Sequence, residues 1–265
     1  MKLAFSTLGV PALPVEHVVR LASEHGYHGV ELRANSEEPV HPGLSADERR
    51  RVAGQFREAG LEILTVAAYP KVAAAGDDAP VLDEMAAAVR LAADLGAAYV
   101  RVFPGGGDLP AREADVLAAR RLAAMAPVAE DLGVRVLLET HDSHRAGADV
   151  ARVLGLVGHR SAGAVWDVMH TWLAGEQPQV TYPELAPYLG YVQLKDIASA
   201  ADTTPLPLGA GVLPLAETVE VLSRADWDGW LCWEYEKRWY PQAADLTGLL
   251  GPAREHMSRL LLESA

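Results

Sequence analysis

Short apolar runs alternate with longer stretches of helical period along the whole chain. Eight runs are almost continuously hydrophobic, as expected for parallel strands that are covered on both faces. They span residues 2–6, 29–32, 62–67, 99–103, 134–139, 163–167, 190–194 and 229–234. Each interval between their starts leaves room for one crossover helix and two loops. The pattern predicts a regular alternation of strands and helices.

The intervening stretches carry helix signals. Ser45-Ala46-Asp47-Glu48 is a capping-box pattern, which predicts a helix from there to Ala59, before Gly60. The fourth predicted helix, residues 112–131, contains Pro127, which predicts a kink or break near Ala126. A last helix is predicted within residues 243–263.

Eight strand–helix units in about 250 residues are typical of a (β/α)8 TIM barrel, an α/β fold. An open, doubly wound sheet is the alternative, but eight regular units favour closure. Neither a composition shift nor a linker divides the chain of 265 residues. The sequence therefore predicts a single TIM-barrel domain, residues 1–265, with a C-terminal helix.

Charge and cysteine content narrow the class of protein. The net charge is −13, from 23 basic and 36 acidic residues, and an acidic surface repels nucleic acid. The single cysteine, Cys232, excludes an internal disulfide and fits a reducing compartment. The apolar runs are too short to span a membrane, and the N-terminus resembles a strand more than a secretion signal. We expect a cytoplasmic protein with neither nucleic-acid nor membrane partners; a homo-oligomer is compatible with the sequence.

Polar residues follow four successive apolar runs, and in TIM barrels the chemistry lies at the carboxyl ends of the strands. These residues are Glu139, Asp167, Gln193 and Glu234. Carboxylate and amide oxygens suit Mn²⁺, Mg²⁺ or Co²⁺. Any one of them alone could simply end a strand in solvent, but four on consecutive strands favour a metal site. Arg101 or Lys195 could offset its negative charge.

The motifs around these positions resemble those of a known family. They are Glu139, then Asp167-Val168-Met169-His170, then Val192-Gln193-Leu194-Lys195-Asp196, then Trp233-Glu234, with support from residues 26–32, 209–211 and 228–230. The arrangement resembles the xylose isomerase-like sugar phosphate isomerases and epimerases, a group that includes ketose 3-epimerases and inosose dehydratases and has a related endonuclease branch.

The resemblance implies one divalent metal, with Mn²⁺ preferred over Mg²⁺ or Co²⁺. Its ligands would be Glu139, Asp167, the strand-seven position and Glu234. Gln193 stands where the family has His, and an amide oxygen is a weaker ligand than imidazole for most transition metals. The extra zinc-binding histidines of the endonuclease branch have no counterpart in strand four, which together with the acidic charge argues against DNA repair.

The implied reaction is isomerisation or epimerisation of a ketose or related polyol through a metal-stabilised enediolate. The resemblance makes Glu139 and Glu234 both metal ligands and proton-transfer groups on opposite substrate faces. A lyase that eliminates from an inosose or a 3-keto sugar is one alternative. A non-catalytic barrel with a degraded metal site is another; Gln193 favours it, and retention of three converging carboxylates opposes it.

Four further residues are candidates for substrate binding. His170 resembles the family's hydroxyl-binding His, with a buried supporting role as the alternative. Lys195 could bind an oxyanion, pair with a metal carboxylate or form a salt bridge with Asp196. His141 faces inward if strand geometry continues past Glu139, and otherwise lies in a loop. Arg101 precedes a glycine-rich turn and could contact substrate. Few basic residues near the rim predict a neutral sugar.

Overall fold

The computed structural model describes residues 1–264, whose parallel strands close into a barrel. The strands are β1 Lys2–Ser6, β2 Gly29–Arg33, β3 Glu62–Lys71, β4 Tyr99–Phe103, β5 Arg135–Glu139, β6 Ala162–Asp167, β7 Leu189–Leu194, β8 Ile197–Ser199, β9 Asp202–Pro205 and β10 Trp230–Trp233. The barrel order is β1-β10-β7-β6-β5-β4-β3-β2, with parallel pairing throughout. The predicted TIM barrel is confirmed; Ala265, at the end of the predicted domain, lies outside the described residues.

Helices cover the outside of the barrel. They are α1 Val15–Glu24, α2 Ala46–Glu58, α3 Asp78–Leu95, α4 Ala111–Asp131, α5 Gly147–Val157, α6 Val168–Leu173, α7 Pro178–Leu185, α8 Leu215–Arg224 and α9 Leu250–Glu263. Short 3-10 turns occupy Thr7–Gly9 and Leu246–Gly248. Within residues 1–264, none of these helices combines the length and apolar character that a membrane span requires.

Two helix predictions have different outcomes. The capping box at α2 is confirmed: the Glu48 N–H donates to Ser45 Oγ at 3.3 Å, and the Ser45 N–H donates to Glu48 Oε2 at 2.8 Å. Of the kink or break predicted near Ala126, the break is wrong, because α4 continues through Pro127. Pro127 and Ala123 both lie on the exposed face of α4, so water can solvate the carbonyl that proline leaves without a partner.

The barrel interior is apolar in its lower part and polar at its carboxyl rim. The apolar interior consists of Ala4, Leu64, Leu137, Val165, Tyr191, Trp230 and Cys232, with Tyr99 packed against them. Side chains two residues apart on a strand share a face. Five polar residues at the rim therefore lie two positions further along the chain than members of this apolar layer: Arg101, Glu139, Asp167, Gln193 and Glu234. A sixth, Glu31, lies two positions after Gly29 in β2.

The short hairpin β8–β9 leaves the barrel after β7 and is anchored by Asp196. Backbone N–H groups of Ile197, Gly209, Gly211 and Leu213 donate to its carboxylate at 2.9–3.2 Å. A Cβ at Gly211 would lie only 2.2 Å from Asp196 Oδ1, so the loop needs glycine there. These bonds commit the Asp196 carboxylate to the loop rather than to its neighbour Lys195.

Candidate active site at the barrel rim

The four predicted metal ligands come together at the carboxyl rim. Glu139 and Asp167 end β5 and β6, Gln193 lies in β7, and Glu234 directly follows β10. The register pairs Gln193 with Asp167 on one side and with Cys232, two residues before Glu234, on the other. All four ligands are buried, with at most 4% of any residue exposed. Barrel closure therefore creates one dense polar cluster from four separate strands.

Lys195 lies inside this cluster. Its Nζ is 2.8 Å from Asp167 Oδ2 and 2.7 Å from Glu236 Oε1, and it also donates to Glu234 Oε2. Burial alone would lower the pKa of Lys195, but the three carboxylates outweigh burial and raise it well above its ordinary value. The ammonium group is therefore a fixed internal cation that neutralises part of the carboxylate charge.

Arg101 is the second buried cation and faces Glu139. Its Nε lies 3.0 Å from Glu139 Oε2, its Nη1 donates to the Ala68 carbonyl at 3.0 Å, and its guanidinium stacks 4.0 Å from the Phe103 ring. Burial raises the pKa of Glu139 to about 8, although Arg101 opposes that shift. Glu139 can therefore gain or lose a proton near neutral pH, as a general acid–base group must.

Two histidines lie against Glu139. The rings of His141 and His170 are 4.0 Å apart, and His141 also packs 4.6 Å from Phe103. Burial lowers the pKa of His170 well below its ordinary value, so its imidazole is neutral. Burial also disfavours the charged form of His141, but Asp142 and Glu139 outweigh it and raise its pKa. β5 ends at Glu139, so His141 lies in the following loop, as the alternative prediction had it, and from there its ring still lies beside His170 and Glu139.

Three residues of the cluster had no role assigned from the sequence: Glu31, Tyr191 and Glu236. Glu31 is fully buried in β2 and accepts a hydrogen bond from Tyr191 OH at 2.6 Å. Burial first, and then the nearby Glu234, raises the pKa of Glu31. A carboxylate in the middle of an apolar strand was the available signal for Glu31, and the two-residue spacing from Glu234 was the signal for Glu236.

The residues present fit a divalent cation. Among the described residues, Gln193 Oε1 is buried without a hydrogen-bond partner. Glu139 Oε2 and Asp167 Oδ2 have no aligned donor either, but they face Arg101 Nε at 3.0 Å and Lys195 Nζ at 2.8 Å. The cluster also holds five carboxyl groups against the two permanent cations Lys195 and Arg101. Carboxyl groups therefore outnumber the fixed cations in this cluster, and Mn²⁺ or Mg²⁺ would add positive charge beside them.

The His, Asp and Glu side chains that lie close enough to share one ion within residues 1–264 include Glu139 but not Asp167 or Glu234. One ligand atom from each of Glu139, His141 and His170 lies within 4.8 Å of the others. Two imidazoles and a carboxylate suit softer divalent ions such as Zn²⁺ better than Mg²⁺. Glu139 belongs both to this group and to the set of ligands predicted from the sequence.

Glu139→Gln should become steadily more stable relative to the parent protein as pH rises from about 4.5 to 8. Glu139 stays protonated in the folded state across this window, whereas the unfolded chain ionises. The parent therefore loses stability as pH rises through the window. Glutamine carries no such proton. Melting temperatures of both proteins in chelator at about pH 5, 6.5 and 8 measure the effect, and a pH-independent difference would contradict it.

Comparison with known proteins finds similarity to one family of barrels, to an epimerase and to a dehydratase. Residues 19–259 match the family described as xylose isomerase-like TIM barrel. The chain is 24% identical to fructoselysine 3-epimerase of Shigella flexneri over 244 residues, which cover 87% of this chain and 88% of that protein. It is 22% identical to 3-dehydroshikimate dehydratase of Bacillus anthracis over 188 residues, 69% of this chain and 66% of that protein.

A solved structure of similar fold contains a metal. The crystal structure of IOLI protein with a zinc atom superposes with a TM-score of 0.80 at 16% identity, covering 100% of this chain and 98% of that one.

Proposed function

Because the chain belongs to the xylose isomerase-like TIM barrel family, we propose that it is a divalent-metal-dependent epimerase or isomerase of a ketose or related polyol. Glu139, Asp167, Gln193 and Glu234 would hold the metal. Glu139 and Glu234 would transfer protons. The similarity to fructoselysine 3-epimerase across most of both chains supports a keto sugar as the substrate class.

One observation carries this proposal. Gln193 Oε1 is buried and, within residues 1–264, has no hydrogen-bond partner, at the rim where Glu139, Asp167 and Glu234 also lie. Buried polar atoms in a folded protein are normally paired, because leaving one unpaired costs about 1–3 kcal/mol. A cation that accepts a lone pair from Gln193 Oε1, and that is shared with the neighbouring carboxylates, would explain why this atom has no other partner.

The proposed chemistry is transfer of a carbon-bound proton next to a carbonyl. A bound divalent cation would draw electron density from the substrate oxygens and so make that proton more acidic. Glu139, with a pKa of about 8, can remove or return the proton. Glu234 is the candidate for the opposite face, and Lys195, which donates to it, balances its charge. Arg101 keeps the Glu139 carboxyl in place through its contact at 3.0 Å.

Dehydration is the second candidate, and the histidine pair is the observation that favours it. His141 has a raised pKa and lies beside Glu139 and His170, so its imidazolium could protonate a leaving hydroxyl. Removal of the neighbouring carbon-bound proton by Glu139 would then release water. The similarity to a 3-dehydroshikimate dehydratase supports this class of reaction.

Metal binding is the first test. Mn²⁺ at about 100 times its dissociation constant should stabilise the chelator-treated protein by about 2.7 kcal/mol. For a chain of this size this corresponds to a rise in melting temperature of about 5–10 °C. Glu139→Gln should lose most of this rise, because it removes a charged ligand. If Mn²⁺, Mg²⁺, Co²⁺ and Zn²⁺ all leave the melting temperature of the parent protein unchanged, the proposal of metal dependence is contradicted and the non-catalytic alternative is supported.

The reaction itself is tested by incubating the metal-loaded protein with ketoses, inososes and 3-keto sugars in deuterated water. An epimerase or isomerase incorporates solvent deuterium at the carbon beside the carbonyl without losing water, which proton NMR detects. A dehydratase instead yields an unsaturated carbonyl product with new ultraviolet absorbance. Incorporation by the parent and none by Glu139→Gln is the expected result; equal incorporation by both would contradict the role of Glu139.

A further inference from the structure

The amide group of Gln193 is held by two carboxylates from different strands. Its Nε2 donates to Glu234 Oε1 at 3.1 Å and lies 3.2 Å and 3.4 Å from the two carboxylate oxygens of Glu31. Gln193 and Glu31 are 162 residues apart in sequence. Their strands, β7 and β2, are separated by β10 and β1 in the barrel order, so this contact crosses the interior.

These contacts determine which way the amide faces. Carboxylate oxygens accept hydrogen bonds, and an amide offers donors only on its nitrogen. If the amide were flipped, the Gln193 oxygen would face the oxygens of Glu31 and Glu234 and repel them. The NH2 group therefore faces the carboxylates. The Oε1 atom is left buried and, within residues 1–264, without a hydrogen-bond partner.

Glu31 is itself fixed. Its Oε2 accepts from the Tyr191 hydroxyl at 2.6 Å, and Tyr191 is fully buried in the apolar interior directly below Gln193 on β7. Glu31 and Tyr191 thus form a rigid support beneath the amide. Such supports commonly orient metal ligands, and their loss typically lowers metal affinity about 10- to 100-fold.

We propose that Glu31 is a positioning residue that fixes the Gln193 amide so that Oε1 is the atom available to a divalent cation. This inference rests on the proposed function, because it assigns a role within the same site. It gives a physical reason why an amide can stand at a position where the family resemblance implies an imidazole. Because the Glu31 carboxylate accepts from the amide nitrogen of Gln193, the amide oxygen is the atom that faces away from Glu31.

The test is isothermal titration of Mn²⁺ into chelator-treated protein. Glu31→Gln should weaken Mn²⁺ binding about 10- to 100-fold, since glutamine offers both donor and acceptor and lets the Gln193 amide flip. Glu38→Gln is the matched control: it removes another buried carboxylate, paired with Arg33, without touching Gln193. Glu38→Gln should bind Mn²⁺ like the parent protein.

A double-mutant cycle separates positioning from a general structural effect. If Glu31 acts through Gln193, adding Glu31→Gln to Gln193→Leu should cause no further loss of Mn²⁺ affinity. Should Glu31→Gln fail to fold, Tyr191→Phe provides the same cycle with a smaller, several-fold effect.

The positioning role is overturned if Glu31→Gln binds Mn²⁺ with the affinity of the parent protein. It is also overturned if Glu31→Gln lowers the Mn²⁺ affinity equally in the parent and in Gln193→Leu. Neither result would contradict metal binding itself. Absence of Mn²⁺ binding by the parent protein would overturn both the proposed function and this inference.

Discussion

Replacing Glu139 or Glu234 by glutamine should lower turnover about 10³- to 10⁴-fold. Each substitution keeps the shape of the side chain but removes both a proton-transfer group and a negative ligand. Loss of acid–base catalysis typically costs about 10²- to 10⁴-fold. Rates of deuterium incorporation and of product formation with a responsive keto sugar, at saturating Mn²⁺, measure the effect.

Glu62→Gln serves as the control for these two variants. Glu62 begins β3 at the opposite end of the barrel, and its exposed carboxylate pairs with Lys2. Its substitution should leave turnover within about twofold of the parent. The assignment fails if either Glu139→Gln or Glu234→Gln retains near-parental activity while Mn²⁺ binding is preserved.

Lys195→Met should destabilise the metal-free protein by about 3–5 kcal/mol, the usual cost of breaking a buried ion pair from one side. The ammonium of Lys195 contacts Asp167, Glu234 and Glu236, and its loss leaves these carboxylates to repel one another. For a chain of this size the melting temperature should fall by about 6–20 °C. Thermal unfolding in the presence of chelator is the measurement.

Added Mn²⁺ should recover part of this loss, because a divalent cation neutralises the same carboxylates. Lys2→Met is the matched control: Lys2 is half-exposed, and its surface ion pair with Glu62 is worth at most about 1 kcal/mol. If the two lysine variants unfold at similar temperatures in chelator, Lys195 is not the internal cation of the cluster.

The order of the strands and the ends at which carboxylates appear could be predicted from the sequence. Eight apolar runs at regular intervals lead to β1–β7 and β10 with boundaries shifted by one or a few residues, because strands covered on both faces must be apolar along their length. The same pattern identifies Glu139, Asp167, Gln193 and Glu234 as rim residues, because a charged or amide side chain at the end of an apolar strand lies at the rim of the barrel. The hairpin β8–β9 was missed, because its short polar strands lack the apolar pattern.

Which of these groups touch one another was decided only by closure of the barrel. From the sequence, Lys195 could pair either with its neighbour Asp196 or with a carboxylate of the metal site. In the fold, Asp196 accepts hydrogen bonds from four backbone N–H groups. Lys195 instead contacts Asp167 and Glu234. The contact between Glu31 and Gln193 joins strands that are not adjacent in the barrel. Local sequence specifies periodicity and strand ends, whereas the stagger of closed strands sets distances across the interior.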